Sequence, residues 1–127
     1  MKNKIFLSDD AIEKNGKYFL DKPSPHAVLG PTYLGEEIEN VFYPSYFCLE
    51  LYSKDANTLL VNTNNGWHFT LGKALAFDSV LKETVVNSKP YFVVKNGNNE
   101  ILGVAEKKQN SYYNIYDIGY FLRRELD

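Results

Sequence analysis

The segment Tyr91-Phe92-Val93-Val94-Lys95-Asn96-Gly97-Asn98-Asn99-Glu100-Ile101-Leu102-Gly103-Val104-Ala105 constrains the fold more than any other. Two apolar runs rich in β-branched and aromatic residues flank a polar turn cluster, the pattern of a β-hairpin. Asn96-Gly97 supplies residues suited to left-handed turn conformations, and Gly103 permits a bulge or a close backbone approach. Lys89-Pro90 introduces the hairpin. Tyr112-Tyr113-Asn114-Ile115-Tyr116 reads as a further strand completing the sheet. Asp117 can then cap a closing helix, Asp117-Ile118-Gly119-Tyr120-Phe121-Leu122-Arg123-Arg124, with Ile118, Phe121 and Leu122 inward at i, i+3, i+4. Arg123 and Arg124 fall near its C-terminal end, where the helix dipole favours positive charge.

Upstream, the first forty residues are broken by Asn15-Gly16, Pro23, Pro25, Gly30-Pro31 and Gly35. They leave room only for short strands, such as Tyr18-Phe19-Leu20 and His26-Ala27-Val28-Leu29. Pro44-Ser45 is a plausible helix start with Ser45 as N-cap, placing Phe47, Leu51 and the Tyr46/Leu49 pair near one face. The alternation of Phe47, Leu49 and Leu51 permits a strand as well; the opening proline and the closing Lys54-Asp55-Ala56-Asn57 favour helix. Thr58-Leu59-Leu60-Val61-Asn62 reads as a strand and Asn64-Asn65-Gly66 as a turn. Trp67-His68-Phe69-Thr70-Leu71 reads as a second strand or a strand entering a helix, and residues 72–81 as a short helix or helical turn.

With 127 residues, 44% of them hydrophobic, the chain can bury a real core as one domain or as two small packed ones. Its nineteen aromatic residues exceed what a small core needs, so some tyrosine rings are expected half-exposed. No apolar run approaches the roughly 20 residues of a membrane span, and the N-terminus, Met1-Lys2-Asn3-Lys4-Ile5-Phe6-Leu7, has too short an apolar stretch for a signal peptide. A cytoplasmic protein without a membrane partner is expected. Cys48, the single cysteine, reads as a buried structural thiol. The net charge of −2 argues against a uniformly basic surface. Residues 1–63 hold six Lys against nine acidic residues, whereas 64–127 hold eight Lys/Arg against seven, so nucleic-acid contacts belong in the second half.

Leu59-Leu60-Val61-Asn62, Trp67-His68-Phe69-Thr70-Leu71-Gly72-Lys73, Ile101-Leu102-Gly103-Val104-Ala105 and Asp117-Ile118-Gly119-Tyr120-Phe121-Leu122-Arg123 together resemble a PUA domain. The likeness is to the archaeal relatives of the ribosome-biogenesis factor Nip-seven. It covers residues 58–127, leaving 1–57 as a small pre-PUA lead-in, β-rich and helical. The Asp-Ile-Gly ending with its following Arg is the most specific element. The resemblance implies an α+β fold, a PUA-like β pseudo-barrel, that binds structured RNA, rRNA or tRNA. It also implies no cofactor, and a role in ribosome biogenesis or RNA maturation.

Phosphate binding requires several cations on one face, since each neutralised phosphate releases condensed counterions. Lys73, Lys82, Lys89, Lys107, Lys108, Arg123 and Arg124 are the candidates, with Lys107-Lys108 foremost because the family holds basic residues there. Tyr112, Tyr113 and Tyr120 are possible stacking platforms, though such tyrosines more often pack. Trp67 reads as core rather than platform. His26 and His68 lack neighbours at ligand spacing, so no metal site is expected. Asp9-Asp10 and Glu36-Glu37 lie at adjacent positions, which point to opposite faces of a strand and seldom form a catalytic dyad. Leu71-Gly72-Lys73 lacks the remaining elements of a phosphate loop. A binder rather than an enzyme is expected. An acidic module docking a basic ribosomal protein or assembly factor is the alternative, and a small enzyme or ligand-binding barrel a third possibility.

Overall fold

The structure is a computed structural model and describes residues 1–21 and 31–120. The chain divides into two compact units, Met1–Tyr52 and Ser53–Asp127.

In the first unit, β1 (Ile12–Lys14), β2 (Lys17–Leu20), β3 (Thr32–Ile38) and β4 (Val41–Pro44) form an antiparallel sheet in chain order. Lys14 pairs with Lys17 across Asn15-Gly16, whose φ values of 55° and 80° are those of a two-residue hairpin turn. Glu39-Asn40 makes a second such turn, with φ of 51° and 65°, between the paired Ile38 and Val41. α1 (Tyr46–Ser53) follows Pro44. Ser45 caps it as expected, its Oγ accepting from the Cys48 amide at 3.1 Å. The strand alternative is therefore excluded. The helix buries Cys48 and Leu49 and sets Tyr52 edge-on to Phe6, while Tyr46, expected on the inner face, is exposed. His26-Ala27-Val28-Leu29 lies outside the described residues.

The second unit contains β5 (Asn57–Val61), α2 (Thr63–Phe69), β6 (Leu75–Ala76), β7 (Val80–Thr84), β8 (Tyr91–Lys95), β9 (Ile101–Lys107) and β10 (Ser111–Asp117). Its six strands are ordered β6-β10-β9-β8-β5-β7, with β5 and β8 parallel and every other pair antiparallel. Phe92–Val94 and Ile101–Ala105 are buried without alternation. Central strands covered on both faces carry such continuous apolar runs. The sheet curls: Glu83 of β7 meets Lys107 of β9, although three strand spacings of about 4.8 Å would separate these strands in a flat sheet. The core comprises Leu59, Val61, Phe69, Leu75, Phe92, Val94, Leu102, Ala105 and Tyr112.

Three sequence expectations change here. Thr63–Phe69 is a helix rather than a turn and strand, because the Asn62 side chain accepts from the Asn65 amide at 2.8 Å and caps a first turn. Residues 75–84 form β6, a 3-10 turn at Phe77–Ser79 and β7, so the helical expectation survives only in that turn. In the hairpin, the left-handed residue is Asn99 at φ 61°, not Asn96 or Gly97. There Asn96 accepts backbone hydrogen bonds on Oδ1 from Asn98 at 3.0 Å and Glu100 at 3.1 Å, building a longer loop. Gly103 does permit a close approach. Its φ is 154°, and an added Cβ would lie 2.1 Å from the Tyr116 carbonyl oxygen.

Candidate nucleic-acid interface

Strand periodicity decides where each candidate cation points. Lys107 pairs with Tyr112, so both side chains fall on the core face of the sheet, at its rim. Glu83 pairs with Leu59 and shares that face. The curl brings them together: Lys107 Nζ lies 2.8 Å from Glu83 Oε2, and the Tyr112 hydroxyl donates to the same oxygen. The ammonium also stands 5.7 Å from the ring centres of Phe77 and Tyr112 and 5.9 Å from that of Phe92. Hydrogen bonds from Lys107, then Tyr112, hold the Glu83 carboxyl below its usual range. Burial, then the bond to Glu83, pushes the Tyr112 phenol up. Lys107 is thus a clasp closing the curled sheet, and Tyr112, 3% exposed, is packing rather than a platform.

Lys108 has a different setting. Its amide donates to the Ser111 carbonyl at 2.9 Å in the β9–β10 turn, and its side chain emerges on the opposite face from Lys107. There Nζ lies 4.6 Å from the ring centre of Tyr113, which is 46% exposed, and 3.9 Å from Glu106 Oε1. The loose ion pair leaves the ammonium available, so Lys108 and Tyr113 together present a cation beside an open aromatic face.

Trp67 overturns its expected burial. In a strand it would share a face with Phe69; on a helix the two lie about 200° apart. The seven-residue α2 buries Phe69 completely and turns Trp67 outward, 60% exposed, with its ring 5.6 Å from that of His68. Gly66 sits on the buried side, where an added Cβ would lie 2.8 Å from Leu102 Cδ1, so the helix packs directly on β9. Leu71 and Lys73, just beyond α2, are exposed with Trp67.

Lys82 is exposed on β7 and, one residue from Glu83, points to the other face of the sheet. Lys89 is exposed ahead of β8. Lys107 is therefore drawn to Glu83 rather than into one patch with Lys82. Arg123 and Arg124 lie outside the described residues, as do Phe121 and Leu122 and the body of the expected closing helix. Where the chain leaves β10, Asp117 Oδ1 accepts from the Gly119 amide at 2.9 Å in a turn and Oδ2 from Asn114 Nδ2 at 3.0 Å. Ile118, expected inward, is exposed. Tyr120 is half-buried, its ring centre 6.3 Å from that of Tyr116. Lys95, which sequence reasoning passed over, extends from β8 on the same face as Lys82. The signal was strand periodicity, which places Lys95 on the face opposite the Phe92 and Val94 side chains of the core cluster.

Cys48 is buried as expected, its thiol donating to the Phe6 carbonyl at 3.3 Å, with burial pushing its pKa up to about 12. Among the described residues no three His, Cys, Asp or Glu side chains group as metal ligands, and no helix is long and apolar enough to cross a membrane.

Solved structures share this fold. A conserved PUA domain protein from Thermoplasma acidophilum superposes with a TM-score of 0.57 at 13% identity, over 92% of this chain and 80% of that one. A PUA domain from Aeropyrum pernix K1, crystallised as a tartrate complex, gives 0.56 at 12% identity, over 89% of this chain and 73% of that one. No protein-family profile and no curated protein sequence matches the chain. The chain thus has the α+β architecture of PUA domain proteins.

Proposed function

We propose that this protein is a non-catalytic, cytoplasmic RNA-binding module that holds structured rRNA or tRNA, in ribosome biogenesis or RNA maturation. The observation that carries this reading is Trp67, a large aromatic face turned to solvent on α2 with Lys73 just beyond the helix. Its stability role is small, because most of its surface stays wet; a base stacked on it would be worth about 1–3 kcal/mol. Lys108 and Tyr113 offer a second aromatic surface with its own cation. The PUA-like architecture supports the same reading, and the sequence resemblance to the archaeal Nip-seven relatives motivates the ribosomal setting.

The test is binding of purified protein to large-subunit rRNA fragments and a tRNA pool at two salt concentrations. Affinity should fall as salt rises, and Trp67→Ala and Lys108→Ala should each weaken it, while both variants keep the wild-type unfolding midpoint. Absence of salt-dependent binding to every RNA would sink the proposal. Capture of a basic ribosomal protein without RNA would then favour the acidic docking module.

A further inference from the structure

The outer face of the second unit's sheet holds a groove of about 260 Å³ that involves none of Trp67, Tyr113 or Lys108. Register builds it. Leu60 on β5 pairs with Lys82 on β7 and with Lys95 on β8, so these three side chains stand in a row across three strands. Two residues along β5, on the same face, Thr58 pairs with Thr84. The groove is lined by Thr58, Leu60, Lys82, Thr84, Lys95 and Asn99, closed at one end by the β8–β9 turn. Two strand spacings put the lysine backbones about 10 Å apart, so flexible stems can bring both ammoniums to one group lying over Leu60.

Charge distinguishes these lysines from the other candidates. Lys107 and Lys108 have carboxylate neighbours, whereas among the described residues neither Lys82 nor Lys95 has a carboxylate within ion-pair distance. The nearest acidic side chain on the turn, Glu100, accepts from Asn96 Nδ2 at 3.0 Å. Two ammoniums without a carboxylate partner among the described residues, on opposite sides of a half-buried leucine and beside the Thr58 and Thr84 hydroxyls and the Asn99 amide, fit an anion with several oxygens. A carboxylate has two oxygens and can bridge both ammoniums, but leaves no further oxygen for the threonine hydroxyls. A phosphoryl group offers enough oxygens for both lysines and the threonine hydroxyls, with Leu60 left to contact an attached sugar. The volume lies just below the range of about 300–1,000 Å³ typical of drug-sized ligands, so a phosphate with its sugar fits better than a whole dinucleotide.

We propose that this groove is a phosphoryl-binding site in which Lys82 and Lys95 clamp a sugar phosphate, either a free nucleotide or the phosphorylated end of an RNA strand. The site does not depend on the RNA reading above.

The experiment follows backbone amide and lysine Nζ resonances of the isotope-labelled full chain on titration with inorganic phosphate, adenosine monophosphate, adenosine and a terminally phosphorylated short oligoribonucleotide. The phosphate-bearing probes should shift Thr58, Lys82, Thr84 and Lys95, and adenosine should not. Lys82→Gln and Lys95→Gln should each weaken binding about tenfold, the worth of one charge-assisted hydrogen bond. Gly97→Glu should weaken it similarly by placing a carboxylate at the groove's end. Nothing lies within 4 Å of a Cβ built there and φ is not positive, so that variant keeps the fold. Equal affinity for mononucleotide and oligonucleotide would identify a free phosphorylated ligand; a much tighter oligonucleotide would identify a strand end. Shifts confined to other residues, equal responses to adenosine, or wild-type affinity in all three variants would overturn the proposal. Trp67→Ala, which should impair RNA binding, should leave phosphate binding here intact.

Discussion

Lys107 and Lys108 are adjacent in sequence, yet the structure predicts opposite consequences for their removal. Lys107→Ala deletes the pair with Glu83, in which the side chains are 42% and 28% exposed, so solvent limits its worth to about 0.2–1 kcal/mol. The same ammonium approaches three rings, and a cation–π contact at such partly exposed sites adds about 0.5–1 kcal/mol. One charge cannot satisfy three rings independently, so the combined loss is about 1–2 kcal/mol. That should lower the thermal midpoint by very roughly 4–10 °C for a chain of this size. Lys108→Ala, losing only a 3.9 Å ion pair and an exposed ring contact, should change stability by less than about 0.5 kcal/mol. Urea unfolding and RNA binding, measured on both variants, separate the roles. Lys107→Ala should lose stability and retain RNA affinity; Lys108→Ala should do the reverse. A Lys107→Ala protein of wild-type stability that binds RNA as poorly as Lys108→Ala would refute the clasp.

The same cluster makes stability depend on pH at both ends. Glu83 is depressed in the folded state, so its contribution is present above the ordinary carboxylate range and is lost as pH falls through the lowered folded value. Tyr112 is raised, so above its ordinary value of 10.0 the unfolded chain releases a proton that the folded one keeps, and stability falls. Urea midpoints across pH should trace this dome, and Glu83→Gln should flatten both flanks. Asn57, fully buried, accepts on Oδ1 from Val86 and Asn87 amides at 2.6 and 2.9 Å and donates to Asn87 Oδ1 and the Lys89 carbonyl at 3.1 and 3.0 Å. Asn57→Ala should cost about 2–4 kcal/mol and speed hydrogen exchange at Val86 and Asn87; slow exchange there would show the loop is held otherwise. Gly103→Ala should destabilise by about 3 kcal/mol or more, since its Cβ would overlap backbone 2.1 Å away, and a variant with the wild-type unfolding midpoint would show that β10 can yield.

Local chemistry sufficed for much of this molecule. The hairpin Tyr91–Ala105, the strand at Tyr112–Tyr116, the Ser45 cap and the close approach at Gly103 follow from apolar patterning, capping oxygens and the absence of a Cβ, all properties of neighbouring residues. The PUA-like α+β architecture was legible only through the resemblance of residues 58–127 to a known family, which patterning alone does not supply. Where two periods fitted one segment, sequence alone could not choose. Trp67 and Phe69 share a face at period 2 and oppose each other at period 3.6, so a single Asn62 cap reversed which of them is solvent-facing. Only tertiary structure determined the fate of the basic residues. Lys82, Lys95, Lys107 and Lys108 carry the same charge in the sequence. Strand register and sheet curl set one against Glu83 and another over Tyr113, and leave two across Leu60 with no carboxylate partner among the described residues, because a side chain's partners come from distant strands that local sequence does not specify.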